Sequence, residues 1–349
     1  MPDPTALIAG QLREQAASCR AMGSPLYAHL LENSARDAEA GGPVLALLAP
    51  HAAPGRGGAL ALRFMAAVHR QVLRGRAPAL AAHYPSAGGT AGPAAAFAPF
   101  RDVVDAQREV LDEAVRLPCQ TNEVGRCAPL MVGFLRVSAT SGLPLRALEV
   151  GASAGLSLRF DRFHYAGGGA AWGDPRSLVD LAGLWAEAPP HAGADVRVAE
   201  RAGCDPAPLD PAREPDRLAL MSSVWADQRP RFQRLAGALE LARRDPVAVE
   251  KASADDWVAR RLATPSPGRA TVVFHSVVDE YFEEEVRGRF RASLAEAGAR
   301  ASLGAPLYWL RLEPRTSVRE HGVTLTSWPG AEERLLATSG AHGTGVRMA

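Results

Sequence analysis

The stretch Leu148–Gly155, which reads LEVGASAG, decides the fold of this chain. Its apolar first half predicts a strand, and the small residues from Gly151 onward predict a tight turn. The run Leu156–Phe160 then predicts the start of a helix. A strand, a tight turn and a helix N-terminus in this order present backbone N–H groups to a negatively charged or polar ligand.

Two chemical interpretations fit this turn. As Glu-x-Gly-x-Ser-x-Gly it is typical of a Rossmann-type nucleotide loop. Small residues at Gly151, Ser153 and Gly155 would let the backbone approach S-adenosylmethionine. Glu149 would accept hydrogen bonds from the ammonium group or the ribose hydroxyls. As Gly-x-Ser-x-Gly the same turn matches the nucleophile elbow of an α/β-hydrolase, with Ser153 as the nucleophile.

The hydrolase interpretation also needs an acid and a histidine after the serine, and the chain supplies that order. The candidates are Asp227, Asp279, His275, His321 and His342. However, residues 1–142 read as helical and supply no strands for an oxyanion loop, and Glu149 has no role in an elbow. The nucleotide loop is therefore the favoured interpretation.

Composition excludes several classes of function. The formal net charge is +1, from 39 basic and 38 acidic residues, which gives no electrostatic signature of nucleic-acid or membrane-surface binding. The four cysteines show no metal-ligand spacing, so we expect no metal site and a reducing, cytoplasmic environment. The chain shows no apolar run of the roughly 18 residues that span a membrane. A small-molecule substrate is the expected partner.

The chain changes character along its length. Residues 1–117 read as helices, notably 6–22, 25–38, 59–73 and 101–117, with a loop over 78–99, and are expected to form a cap or lid. Residues 118–349 alternate strands and helices, which predicts an α/β fold with a mostly parallel, Rossmann-like sheet of the methyltransferase type. The strands are expected at 147–150, 196–200, 247–251, 271–278, 307–312 and 323–328, the last opening a terminal hairpin with 334–337. Helices are expected at 229–243, 254–262 and 281–299.

Several longer motifs carry a resemblance to a known family. They are QTNEVGR at 120–126, LEVGASAGLSL at 148–158, WGDP at 172–175, GCDP at 203–206, LDP at 209–211, WADQ at 225–228 and HSVV at 275–278. Together they resemble a bacterial family labelled domain of unknown function 2332, from about residue 5 to the C-terminus. The resemblance implies a methyltransferase-like fold and no established reaction.

The chain departs from the family pattern at two places. Ala226 stands where the resemblance leads us to expect proline. Asp279 and Glu280 precede Tyr281 where Trp-Gln is expected. Because the second change adds two carboxylates near the expected site, the substrate of this member need not be that of the family.

Further ligand-binding residues follow from the nucleotide-loop interpretation. An acid at the end of the second strand would bind the ribose, with Glu200 as the positional candidate and Asp205 as the alternative. Asp256, beside Trp257, would accept from the adenine amino group, or would instead cap a helix. Asn122 and Arg126 open a helix that would lie over the cofactor, with Arg126 meeting a carboxylate.

The fourth strand carries the predicted catalytic residues. His275, Asp279 and Tyr281 lie at its carboxyl end, where ligands sit in open α/β sheets. His275 would act as a general base or would be a hydrogen-bonded structural residue. Tyr165 and Tyr281 would face a sulfonium cation or fill the core.

These residues lead to one expected function and three alternatives. We expect S-adenosylmethionine binding and methyl transfer to a small or medium acceptor. The alternatives are a lyase or cyclase that acts on the sulfonium, a hydrolase using Ser153, and a non-catalytic ligand-binding module.

Overall fold

The computed structural model describes residues 3–53, 59–315 and 320–349. Its α-helices are α1 (Pro4–Ala21), α2 (Pro25–Glu39), α3 (Pro43–Leu48), α4 (Leu60–Leu73), α5 (Pro78–Ala81), α6 (Phe97–Ala106), α7 (Arg108–Val115), α8 (Cys127–Ser141), α9 (Glu214–Ser223), α10 (Arg229–Arg244), α11 (Ala254–Arg261) and α12 (Glu284–Ala299). Its β-strands are β1 (Leu145–Val150), β2 (Tyr165–Gly167), β3 (Ala170–Trp172), β4 (Val198–Asp205), β5 (Val249–Lys251), β6 (Ala270–Ser276), β7 (Leu307–Pro314), β8 (His321–Trp328), β9 (Glu332–Ser339) and β10 (Arg347–Met348).

The chain divides into two units by its internal contacts. Met1–Thr121 and Arg213–Gln233 form a helical unit, and Asn122–Ala212 with Arg234–Ala349 form an α/β unit. The predicted boundary lies after residue 117, with residues 118–349 in one region. The segment Arg213–Gln233 instead belongs to the helical unit.

The helical unit is built around an alanine- and leucine-rich core, to which α1, α2, α3, α4, α6 and α7 all contribute buried side chains. The predicted helix 101–117 is in fact two helices. They separate at Gln107, which leaves helical geometry (φ −116°, ψ 25°). The amide of Gln107 donates to the carbonyl of Arg76, a bond that its sequence position alone does not indicate.

The α/β unit contains an eight-stranded, mostly parallel sheet in the order β10-β9-β8-β7-β6-β1-β4-β5. The five neighbouring strands β5, β4, β1, β6 and β7 are parallel. β8 pairs antiparallel with β7, and β9 pairs antiparallel with β8, as the predicted terminal hairpin. β1 pairs in parallel with β6, so the first and the fourth of the predicted strands are neighbours. The chain therefore reverses its direction of winding at β1, where a crevice opens beyond the strand ends in folds of this kind.

Helices cover both faces of the sheet. In β6, Val273 packs with α11 and α12 residues in one apolar cluster. The next residue, Phe274, meets Phe134 of α8 edge-to-face at a centroid distance of 5.2 Å. Successive strand residues point to opposite faces, so the near-continuous apolar sequence of β6 is explained by burial on both sides.

The helix predicted after the glycine loop is not an α-helix. Residues Leu156–Arg162 form a 3-10 segment, with non-helical geometry at Arg159. The buried guanidinium of Arg159 donates to the carbonyls of Gly155 and Asp245. These bonds hold the segment against the end of α10, and the dipole of a regular helix is not available at this loop.

In the part of the chain that the structure describes, no helix is both long and apolar enough to cross a membrane.

Candidate functional site

The turn after β1 runs through the left-handed region of backbone geometry. The φ angles are +67° at Gly151, +52° at Ser153 and +66° at Gly155, a region that residues with a Cβ rarely adopt. A Cβ at Gly151 would also lie 2.6 Å from Cγ2 of Val278, beyond the end of β6. Conformation and packing therefore both require glycine at 151, and the turns after β1 and β6 touch.

Asp205, at the carboxyl end of β4, holds this turn in place. Its Oδ2 accepts from the N–H of Ser153 at 2.9 Å, and its Oδ1 accepts from the N–H of Ala207 at 2.8 Å. Hydrogen bonds from backbone N–H groups to a carboxylate are among the stronger ones in proteins. The acid named from sequence as the alternative therefore lies beside the loop.

Glu200 lies elsewhere, because the predicted end of the second strand is wrong. The strand continues to Asp205, and Glu200 sits near its amino end, in register with Arg146 of β1. Its carboxylate accepts from Arg146 at 3.1 Å and from Arg269 at 2.8 Å. The charged residues Glu200 and Arg201 led to the prediction that the strand ends there. The strand continues because each of them forms an ion pair, Glu200 with Arg146 and Arg201 with Asp161.

Glu149 is a buried acid with an unsatisfied oxygen. It is 3% exposed, and among the described residues its Oε2 has no hydrogen-bond partner. Burial raises the pKa of Glu149 well above its usual value, the nearby charge of Asp205 acts in the same direction, and a hydrogen bond from Ser157 opposes both. Burial therefore favours the protonated form of this side chain, and Oε2 can still accept a hydrogen bond.

The predicted residues Asn122 and Arg126 are both brought to this edge of the sheet. Oδ1 of Asn122 accepts from the N–H of Leu156 at 3.2 Å, so it caps the 3-10 segment after the loop. Arg126 donates to the carbonyls of Ala341 at 3.1 Å and Ser276 at 3.4 Å. These contacts anchor the segment to the end of β6, and the expected contact of Arg126 with a ligand carboxylate stays a prediction.

His275 is buried with both ring nitrogens occupied. Nδ1 lies 2.8 Å from Oε1 of Glu313, and the indole N–H of Trp309 donates to Nε2 at 3.0 Å. Because an indole N–H only donates, Nε2 must accept, and Nδ1 must carry the proton that bonds to Glu313. The predicted role of His275 as a general base does not fit this geometry, since neither nitrogen is free to take a proton from an acceptor.

Glu313 is the partner that fixes His275. Burial alone would raise the pKa of Glu313, but hydrogen bonds from His275 and from the N–H of Val278 outweigh it and hold the pKa below its usual value. The acid ends the apolar alternation of β7 at the sheet's carboxyl edge. An acid at the end of an apolar strand is a sequence signal for such a position, although Glu313 was not among the predicted site residues.

His275, Asp279 and Glu313 also form a cluster in which one ligand atom from each lies within 4.8 Å of the others. A metal at Nδ1 of His275 would require the ring proton to move to Nε2. There it would face the indole N–H of Trp309, and two donors would oppose each other. The cluster is therefore better explained as a hydrogen-bond network than as a metal centre.

The other predicted site residues, Asp279, Tyr281 and Asp256, differ in solvent exposure. Asp279 is half-buried, and its Oδ1 has no partner among the residues described. Tyr281 is 76% exposed in a short 3-10 turn. Asp256 is exposed and accepts from the hydroxyl of Ser253 at 3.2 Å. Its neighbour Trp257 is fully buried in the core, so it is not a surface on which adenine stacks.

Tyr165 is a core residue. It is fully buried, it donates to the carbonyl of Phe160 at 2.8 Å, and its ring stacks on Trp185 at a centroid distance of 5.5 Å. The prediction that its ring faces a sulfonium cation is wrong, and the core-filling alternative is right.

Two of the hydrolase candidates, Asp227 and His275, are engaged in structural hydrogen bonds. The positive φ of Ser153 also suits a nucleophile elbow. However, Asp227 accepts from the hydroxyl of Ser24 at 2.6 Å and from the N–H of Leu26 at 3.0 Å, so it caps α2 in the helical unit. His275 has no nitrogen available as the base.

Comparison with known proteins decides the family. The family described as uncharacterized protein conserved in bacteria (DUF2332) matches residues 9–347. The chain belongs to the DUF2332 family. Neither the curated proteins nor the solved structures include a match to it. The geometry described above therefore carries the functional argument for this family member.

Proposed function

We propose that the α/β unit binds S-adenosylmethionine at the carboxyl edge of its sheet and transfers the methyl group to a small or medium acceptor. The observation that carries the proposal is that residues of separate motifs contact the loop after β1. Asn122 binds the backbone of Leu156, Asp205 binds that of Ser153, and Val278 packs on Gly151. This convergence lies where the parallel sheet reverses its winding, the usual place for a ligand.

The residues at the loop suit the chemistry of the cofactor. S-adenosylmethionine carries an ammonium group and ribose hydroxyls, which can donate hydrogen bonds to carboxyl oxygens. Glu149 offers an unpartnered oxygen, and Asp205 has acceptor capacity beyond its two backbone bonds. Half-buried Gly151 offers a backbone that lacks a side chain. We propose that Glu149, Gly151 and Asp205 hold the cofactor, which supplies an electrophilic methyl group when bound.

The protein would contribute to the reaction mainly by aligning the acceptor with the methyl group. Holding an acceptor nucleophile in line with the methyl group removes much of the entropic barrier. With His275 bonded on both sides, Asp279 is the remaining candidate for the acceptor's proton, because its Oδ1 is free of hydrogen bonds within the described chain. We therefore assign His275 a positioning role, in which it holds Glu313 and the end of β6.

Two acids at opposite ends of β4 provide the experiment. Asp205→Asn should weaken S-adenosylmethionine binding about tenfold or more, because charged hydrogen bonds contribute roughly 1.5–3 kcal/mol. Glu200→Gln, at the amino end of the same strand, is the matched control and should bind like the wild type. Isothermal titration calorimetry measures both. Equal weakening in the two variants, or weakening only in Glu200→Gln, would contradict this placement of the cofactor.

A further inference from the structure

One face of α4 in the helical unit carries buried polar side chains that its own unit does not satisfy. Arg70 and Gln71 follow Arg63 by seven and eight residues, so all three lie within about 100° of the helix surface. Gln71 is fully buried and Arg70 is 9% exposed. Buried groups of this kind normally have hydrogen-bond partners.

Neither Arg63 nor Arg70 is paired with an acid in the part of the chain that the structure describes. Across the described ranges, neither guanidinium forms a hydrogen bond or an ion pair, and Nε of each is buried without a partner. Other arginines of the same unit do find carboxylates, such as Arg101 with Asp37 at 2.7 Å. A buried charge without a partner is costly, so Arg70 in particular is not explained by stability.

Gln71 strengthens this conclusion. Both polar atoms of its side chain, Oε1 and Nε2, are buried and lack a partner within the described chain. A leucine of similar size would fill the same space without leaving amide groups unsatisfied. A ligand that accepts a hydrogen bond would explain why an amide stands there.

The surroundings of this face are electropositive. Burial lowers the pKa of Arg70, and the charge of Arg74 lowers it further. Burial raises the pKa of the Cys119 thiol, and the charges of Arg70 and Arg63 act against that rise. Arg70 is therefore within electrostatic reach of Arg74 and of the Cys119 thiol, which Arg63 also reaches, and this excess of positive charge favours an anion at this face.

We propose that this face of α4 binds the oxyanion group, a carboxylate or a phosphate, of a small ligand. Arg70 and Arg63 supply planar guanidinium donors, which match both groups geometrically, and the amide of Gln71 adds a hydrogen bond. The site is built from helical-unit residues alone. Its test measures anion binding and does not depend on methyl transfer.

Thermal unfolding of the full chain tests this site, with inorganic phosphate and malonate as separate probes at constant ionic strength set with sodium chloride. The melting temperature should rise saturably with at least one of the two, and the anion that acts distinguishes phosphate from carboxylate recognition. Arg70→Met should abolish that rise and should raise the melting temperature of the protein without added anion, because an unpaired buried charge is removed.

Two further variants keep the test decisive. Gln71→Leu should also stabilise the protein without added anion, and should weaken the response. Arg20→Met changes an exposed arginine of α1 and should leave both quantities as in the wild type. The proposal is overturned if neither anion gives a saturable rise, if the rise survives in Arg70→Met, or if both Arg70→Met and Gln71→Leu destabilise the protein without added anion.

Discussion

Single residues at the loop after β1 are held in states that an isolated side chain would not choose. Burial raises the pKa of Glu149, and Ser153 adopts a left-handed backbone. Such departures cluster at binding sites, because the surrounding fold can impose them where a ligand needs them. Each state has a measurable consequence for the stability of the protein.

The raised pKa of Glu149 predicts a pH dependence with a defined sign. The folded state holds a proton that the unfolded state releases above a pKa of about 4.3. The free energy of unfolding should therefore fall as the pH rises from about 4.3 toward the folded-state pKa. Glu149→Gln cannot titrate and should lose that part of the fall. Urea unfolding at about pH 5 and about pH 8 measures it.

The control for this experiment is Glu296→Gln, which removes an exposed carboxylate of α12. It should keep the pH dependence of the wild type. If Glu149→Gln also keeps the whole fall between the two pH values, the proton assigned to Glu149 is not there.

The backbone of Ser153 predicts that glycine is tolerated at this position. Ser153→Gly relieves a positive φ and should leave the free energy of unfolding unchanged or raise it by up to about 1 kcal/mol. Ala154→Gly, at the adjacent buried position with an ordinary φ, should lose about 1 kcal/mol. Urea unfolding compares the two. A larger loss at Ser153 than at Ala154 would show that its side chain matters more than its backbone.

At the scale of elements, β6 and β7 are tied by a buried network. Glu313 of β7 holds His275 of β6 and the N–H of Val278 that follows it. Trp309, also in β7, occupies the other ring nitrogen of His275. The network thus sets the position of the turn that packs on Gly151.

A double-mutant cycle measures this tie. His275→Asn and Glu313→Gln should each destabilise the protein, and the double variant should be less unstable than their sum, by roughly 0.5–3 kcal/mol. His275→Asn should lower S-adenosylmethionine affinity only through the turn that packs on Gly151, because the ring has no free nitrogen for a ligand. An additive cycle would contradict the tie between His275 and Glu313. A His275→Asn variant of normal stability that has lost turnover would support a catalytic histidine.

The elements also show what the sequence could predict. Period and composition located β1, β6, β7 and the terminal hairpin, since their apolar runs are long and bounded by turns. They failed at β4, where Glu200 and Arg201 are paired inside the strand, and after Gly155, where Arg159 replaces helix geometry with bonds to distant carbonyls. The network of His275, Trp309 and Glu313 depends on strands 34 to 38 residues apart, which local patterns do not relate.

At the scale of the whole molecule, the segment Arg213–Gln233 leaves the sequence of the α/β unit and contributes to the helical unit. Its Asp227 caps α2 from about two hundred residues away in sequence, through Ser24 and the N–H of Leu26. The family motif WADQ therefore has a structural function at this acid. From the sequence, Asp227 was predicted only as the acid of a catalytic triad, and not as a helix cap.

Removing this cap should destabilise the helical unit. Asp227→Ala leaves the hydroxyl of Ser24 and the N–H of Leu26 without their acceptor, at a cost of about 1–3 kcal/mol. Asp195→Ala, which removes an acid that is 81% exposed, is the control and should cost less than about 0.5 kcal/mol. Urea unfolding followed by circular dichroism measures both. Equal stability of Asp227→Ala and the wild type would contradict the capping role.

The central claim is that the loop after β1 binds S-adenosylmethionine, and calorimetry of that binding tests it most directly. The wild-type chain should bind S-adenosylmethionine and its demethylated product. Gly151→Ala should abolish binding, because a Cβ there would lie 2.6 Å from Cγ2 of Val278 and would displace the loop. Gly142→Ala, at a left-handed glycine with open space around it, should bind normally with similar backbone strain. Wild-type protein that binds neither compound at millimolar concentration, or equal binding by Gly151→Ala, would contradict the account.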